Sequence, residues 1–202
     1  MRKLALYKIV DSINIGNAML VILGLWFGVR WMQGGIFGLP VQRFTTVVVF
    51  LMTGITLYVL RTQYKSKKIS VSMLATAIFL ISCGTLIANL VSQGSGLERL
   101  VIQGEERVDP SQLTMIGFTL LSVYCIASVF EWTEQNLKII VILVFLCGMF
   151  PFVGHLINNR YLYFENSISY GMANNTAILF VLYSVVGWMM AHYEGSRMRN
   201  GT

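Results

Sequence analysis

Charge is what this sequence has least of. Nine Asp and Glu and fifteen Lys and Arg occur in 202 residues. None of them lies at the centre of the six long apolar stretches at 13–29, 44–60, 71–91, 113–130, 139–157 and 172–190. Ion pumps and proton-coupled carriers normally keep an ionisable group inside the bilayer, so that chemistry is not expected here, although uncoupled permeation stays open. The missing Lys also excludes a retinal Schiff base. No HExxH, phosphate-binding G-x-x-x-x-G-K-[ST] loop, G-x-S-x-G elbow or acidic metal cluster is present, so we expect no enzyme and no cofactor. Cys83, Cys125 and Cys147 show no C-x-x-C spacing and are expected to be packing residues. His155 and His192 fall at opposite ends of two stretches and cannot share one haem iron.

The apolar residues make up 55% of the chain, with a mean hydropathy of +0.67. A membrane helix needs about 20 mostly apolar residues to cross roughly 30 Å of hydrocarbon, and six stretches meet that need. Without period-2 alternation they predict helices rather than a barrel. The expected fold is therefore all-α: one integral-membrane domain over 1–202, a polytopic bundle of six transmembrane helices. Its hairpins fall at about 13–61, 70–131 and 138–192, and 193–202 is a cytoplasmic tail. The apolar run after Met1-Arg2-Lys3 has no A-x-A cleavage site and is read as a retained first helix. Pro40 and Asp109-Pro110 precede helix starts, whereas Pro151 lies inside the fifth stretch. There it should kink the helix and free a carbonyl near Cys147.

The net charge of +6 follows the membrane and gives no sign of a nucleic-acid partner. Ten basic residues (Arg2, Lys3, Lys8, Arg61, Lys65, Lys67, Lys68, Lys138, Arg197 and Arg199) fall on one side. Arg30, Arg43, Arg99, Arg107 and Arg160 fall on the other. The richer side is cytoplasmic by the positive-inside rule, which puts both termini inside.

The descending helix of each hairpin repeats a T-x-x-x-F core: Thr46 with Phe50, Thr114 with Phe118, and Thr176 with Phe180. A small residue follows four positions on, at Gly54, Ser122 and Ser184, so each set lines one helix face. This suggests a triplicated hairpin. One reading is close helix packing; the other is three helix starts around an outward-facing cavity that favours an anionic or carbonyl-bearing ligand. Gly24 and Gly28 form a G-x-x-x-G pair that offers a face for a homodimer.

Polar groups that can face a cavity without exposing charge to lipid define a candidate ligand site at the outer end. Arg30 and Arg43 flank the first outer loop, and His155 ends the fifth stretch. Arg160, Tyr161, Tyr163 and Glu165 follow it, and Asn174, Asn175 and Thr176 open the sixth helix. Trp26 and Phe180 would supply apolar walls. Arg43, His155 and Asn175 are expected to converge on one cavity for a small polar or anionic signal. The competing role for the Arg and Tyr residues is interfacial anchoring.

The closing segment, from Gly154-His-Leu-Ile-Asn-Asn-Arg through Met172-Ala-Asn-Asn-Thr-Ala-Ile-Leu-Phe180, resembles the last hairpin of the N-terminal six-helix sensor region of bacterial histidine kinases and diguanylate cyclases. In that family an M-x-x-x-T-A-x-x-F core opens the even-numbered helices, and Met172, Thr176, Ala177 and Phe180 fit it. The second and fourth helices keep only the Thr and Phe. The resemblance implies a sensor that passes an extracytoplasmic or membrane-borne signal to a cytoplasmic kinase or cyclase output domain. That domain is expected either fused in a longer chain or as a separate partner. A small transport or channel protein, an assembly factor of a membrane complex and an intramembrane enzyme are the competing classes.

Overall fold

In the computed structural model, the described residues are 2–27, 43–61, 67–92, 111–159, 161–162 and 171–200. Side chains within 2–8, 24–27, 89–92 and 193–200 and at position 67 are excepted. They form six helices: α1 Arg2–Phe27, α2 Phe44–Arg61, α3 Lys67–Ser92, α4 Gln112–Val129, α5 Glu134–Leu156 and α6 Asn174–Asn200. No strand occurs among the described residues. Helices α2 to α6 are each long and apolar enough to cross a membrane, and the described apolar part of α1 is Ile9–Leu23.

Two of these helices run about ten residues past the apolar stretches that mark them in the sequence. Helix α1 begins well before residue 13 and carries Asp11 within it, while α6 continues to Asn200 through the segment expected as a tail. Lack of charge locates hydrocarbon, but backbone propensity lets a helix continue through polar residues. Helix α5 is continuous through Pro151, which has no N–H to give the Cys147 carbonyl.

Where helix ends are visible, the sequence explains them. Ser111 caps α4 by accepting from the Thr114 N–H at 3.2 Å, and Thr133 caps α5 by accepting from Asn136. Both satisfy an N–H that has no partner inside its helix. Glu131 and Asn158 take positive φ just past the ends of α4 and α5. The Trp132 and Asn159 amides then reach back to the carbonyls of Ala127 and Gly154 at 3.0 and 2.8 Å. This is the left-handed helix stop usually given to Gly and sometimes to Asn.

Consecutive helices pack side by side, and α1 also packs on α6, closing a ring. Contacts of α4 with both α2 and α6 draw the even-numbered helices inward. The bundle is thus an inner triangle of α2, α4 and α6, with α1, α3 and α5 in the outer notches. The outer helices present apolar stripes to the exterior, such as Ile69, Met73, Leu80 and Ile87 on α3.

Candidate functional site

The inner triangle closes on three phenylalanines. Phe50, Phe118 and Phe180 are fully buried, and their ring centroids lie 4.6, 5.2 and 5.1 Å apart in tilted and edge-to-face arrangements. Those distances and angles suit the quadrupoles of aromatic rings. Each Phe belongs to one T-x-x-x-F core, so the repeated motif meets itself at the centre of the bundle. The motif threonines Thr46, Thr114 and Thr176 are also buried, one turn toward the helix starts.

Small residues make this approach possible. A Cβ on Gly117 would stand 2.6 Å from Phe180 Cζ. One on Gly148 would stand 2.7 Å from the Ala177 carbonyl oxygen and 2.9 Å from Phe180 Cβ, which brings α5 against the α6 backbone itself. At the third position of each motif, Ser122 and Ser184 turn their hydroxyls back to carbonyls of their own helices, Thr119 and Val181, at 2.7 Å. Gly54 instead makes room for side chains from two other helices, Asn14 and Tyr183.

Polar ties link the helices around this centre. Tyr183 on α6 stacks on Phe50 at 5.8 Å and donates to the Phe50 carbonyl at 3.4 Å. Asn14 on α1 donates to the same carbonyl at 3.2 Å. Tyr124 on α4 donates to the Gly187 carbonyl on α6 at 2.9 Å. Each donor escapes the cost of an unpaired polar group in an apolar interior. Asn175 Nδ2 donates to Asn17 Oδ1 at 2.8 Å, joining the start of α6 to α1. Asp11 takes Arg61 through both carboxylate oxygens at 2.9 and 2.8 Å, joining α1 to the end of α2. Asp11, Asn14 and Asn17, three residues apart, thus form a polar seam along α1 that meets α2 and α6.

Of the residues expected to line an outer pocket, only some are described. Arg30, Arg160, Tyr163, Glu165 and Gly28 lie outside the described residues, as do the surroundings of Gly24 and Trp26 within α1. Tyr161 is exposed. Arg43 precedes α2, where its carbonyl accepts from the Val47 amide at 3.1 Å. His155 Nε2 meets the Met172 carbonyl at 2.7 Å, tying the end of α5 to the residues before α6. Asn174 opens α6, and Asn175 turns to α1 as described. The structure therefore brings His155 to the α6 lead-in and Asn175 to Asn17.

A reading based on charge passes over Asn14, Asn17, Tyr124 and Tyr183. The signal for the two amides was available, since Asn within an apolar stretch is costly unless it has a partner. Among the described residues no three of His, Cys, Asp and Glu gather as a metal site would require. No family model, curated protein or solved structure matches the chain.

Proposed function

We propose that this chain is a membrane-integral sensor module. It crosses a bacterial inner membrane six times as three repeated hairpins, with both termini in the cytoplasm. It takes a signal from outside or from the bilayer and passes it to a cytoplasmic kinase or cyclase output domain, fused or separate.

The observation that carries this reading is the position of α6. It is one side of the buried aromatic triangle, holds α1 through Asn175 and Asn17, and then runs unbroken to Asn200. Its apolar portion ends at His192. There Glu134, which opens α5, lies 3.2 Å from His192 Nδ1 and pairs with Lys138 at 2.6 Å. A shift at the packed end of a continuous helix moves its far end, because well-packed interfaces switch between arrangements and do not deform smoothly. The three-way meeting of Phe50, Phe118 and Phe180 supports the repeat, and the apolar exterior of α3 and α5 supports the bilayer.

The test is a fusion of the full chain, through α6, to a histidine-kinase transmitter, read by autophosphorylation in membranes. Asn175→Leu and Phe180→Leu are expected to shift the basal output by severalfold in protein that still inserts. Output unchanged in both inserted variants would overturn the reading.

A small transport protein is the second reading, favoured by the polar seam of Asp11, Asn14 and Asn17. It predicts solute flux in liposomes that Asn14→Leu abolishes. Against it, each of the six helices is continuous over its described length, whereas transporters commonly break helices around a midplane site.

A further inference from the structure

Between α1 and α2 lies an open groove of about 250 Å³, lined by Asp11, Asn14, Ile15, Leu51, Ile55 and Tyr58. Ile15, Ile55 and Tyr58 are exposed at its rim. If the helices cross a bilayer, as the function proposed above requires, the groove opens to lipid rather than to water. Its floor has an unusual polar component. Asn14 is only 3% exposed, and while its Nδ2 donates to the Phe50 carbonyl, its Oδ1 has no hydrogen-bond partner. A buried acceptor left unpaired is costly, and a lipid tail cannot satisfy it. At the same end the Asp11 carboxylate lines the groove. Both of its oxygens are already held by Arg61, so the pair offers a charged head no free counter-ion, and Asn14 Oδ1 is the group that asks for a donor.

We infer that this groove binds a neutral amphiphile from the bilayer whose head carries a hydroxyl: the hydroxyl donates to Asn14 Oδ1 and the apolar body lies along Ile15, Leu51 and Ile55. The volume is below the roughly 300–1,000 Å³ of pockets that enclose a whole drug-sized ligand. The groove therefore holds the head and its first carbons, and the remaining chain stays in lipid. The placement also gives such a molecule a route to the centre of the bundle. Asn14 shares the Phe50 carbonyl with Tyr183 and packs on Gly54, so re-pairing its amide acts directly where α1, α2 and α6 meet.

The experiment uses the full chain in lipid nanodiscs with two photoreactive probes, a long-chain alcohol bearing a diazirine and the matching alkane. Labelled peptides are mapped by mass spectrometry. The alcohol is expected to label α1 and α2 around Ile15, Leu51 and Ile55 about fivefold more than the alkane, the factor that one neutral hydrogen bond contributes. In Asn14→Leu that ratio should fall to near one. Ile55→Trp alters an exposed side chain, so folding is preserved while the groove is filled. It should remove labelling of this site by both probes, which keeps the proposal falsifiable if Asn14→Leu does not fold. Equal labelling by the two probes, labelling that survives Ile55→Trp, or disulfide-linked dimers of Ile55→Cys that exclude the probe would each overturn it. Signalling is read separately in the kinase fusion. Groove labelling with an output indifferent to long-chain alcohol would uphold the site and separate it from signalling, whereas an alcohol-responsive output without groove labelling would overturn the site and leave the sensor function.

Discussion

The even-numbered and odd-numbered helices share a composition class but meet different surroundings. In α2, α4 and α6, 56%, 61% and 56% of the residues in the apolar span are buried, against 28% and 33% in α3 and α5. The more apolar pair by hydropathy is the less buried one. In a water-soluble protein that order would be reversed. In a bilayer it is expected, since lipid accepts Leu and Ile as readily as a protein interior does. The inner positions are then left to residues that pack closely or hydrogen-bond across helices. The inner helices accordingly hold the buried Tyr124 and Tyr183, most of the buried threonines and the aromatic triangle, while α3 buries Ser82 and Thr85. Helix α1 belongs to neither group: it sits outside the triangle, yet reaches it through amides.

Truncating the triangle should give the largest effect. Phe→Ala in a soluble core costs about 3–5 kcal/mol through lost transfer energy and a cavity. In the bilayer proposed above the transfer contribution is small, so Phe180→Ala is expected to cost about 2–3 kcal/mol, mostly from the cavity. Leu80→Ala, on the exposed face of α3, should stay within about 0.5 kcal/mol. Reversible unfolding in mixed detergent micelles measures both. Equal losses would abolish the distinction between inner and outer helices.

The contact between α5 and α6 sharpens the comparison, because it shows how an outer helix is held without a polar seam. Gly148 lets the Ala177 carbonyl and Phe180 Cβ approach to where its own side chain would be. The nearest obstacle to Gly148→Ala is backbone, so the helices must separate, at a cost of about 1–3 kcal/mol. Gly84 on α3 has nothing within 4 Å of an added Cβ. Gly84→Ala should therefore be neutral or stabilise by up to about 1 kcal/mol through helix propensity. Thermal stability of the two variants in one detergent checks the opposite signs.

The helical architecture was legible in the sequence because uncharged runs of bilayer length are a strong signal. The T-x-x-x-F spacing likewise picked out the residues that meet at the centre. The ends of α1 and α6 were not legible, because hydropathy does not report where a helix stops in a polar segment. The partners of Asn175 and His155 were also hidden. Position along the apolar stretches placed both at one end, but whether they face each other depends on helix rotation and on Asn17, 158 residues from Asn175 in the chain. Tyr183 and Tyr124 looked like further apolar residues, and only the packing shows which carbonyl each hydroxyl reaches.

The seam of α1 supplies the next effect in size. Hydrogen bonds between helices within a membrane contribute about 0.6 kcal/mol on average and at most about 2. A double-mutant cycle of Asn17→Ala and Asn175→Ala should therefore return a coupling of about 0.5–1.5 kcal/mol. The same cycle on Asn17 and Ser184, which bonds within its own helix, should return about zero. Coupling of similar size in both cycles would mean that α1 responds to α6 as a whole and not through this amide pair.

The smallest effect belongs to the turn between the inner helix α4 and the outer helix α5. Lys68, near the start of α3, pairs with Glu131 at 2.8 Å, and both side chains are exposed. The Lys68 ammonium, first through its hydrogen bond and then through its charge, holds the Glu131 carboxyl below its usual value near 4.5. A lowered folded-state pKa means that the pair stabilises the protein above the ordinary carboxylate range. The contribution is lost as pH falls through the lowered value. Because the pair is in contact with water and counterions, screening leaves little of it. Glu131→Gln should therefore leave the melting temperature at pH 7 nearly unchanged. It should also slightly flatten the decline of stability below about pH 4.5. Glu131→Gly tests the backbone independently, since the residue stands at φ 58°, where Gly has no Cβ penalty. If Glu131→Gly raises the melting temperature while Glu131→Gln does not, the left-handed stop matters more at this turn than the ion pair. A large loss in Glu131→Gln at neutral pH would show the reverse.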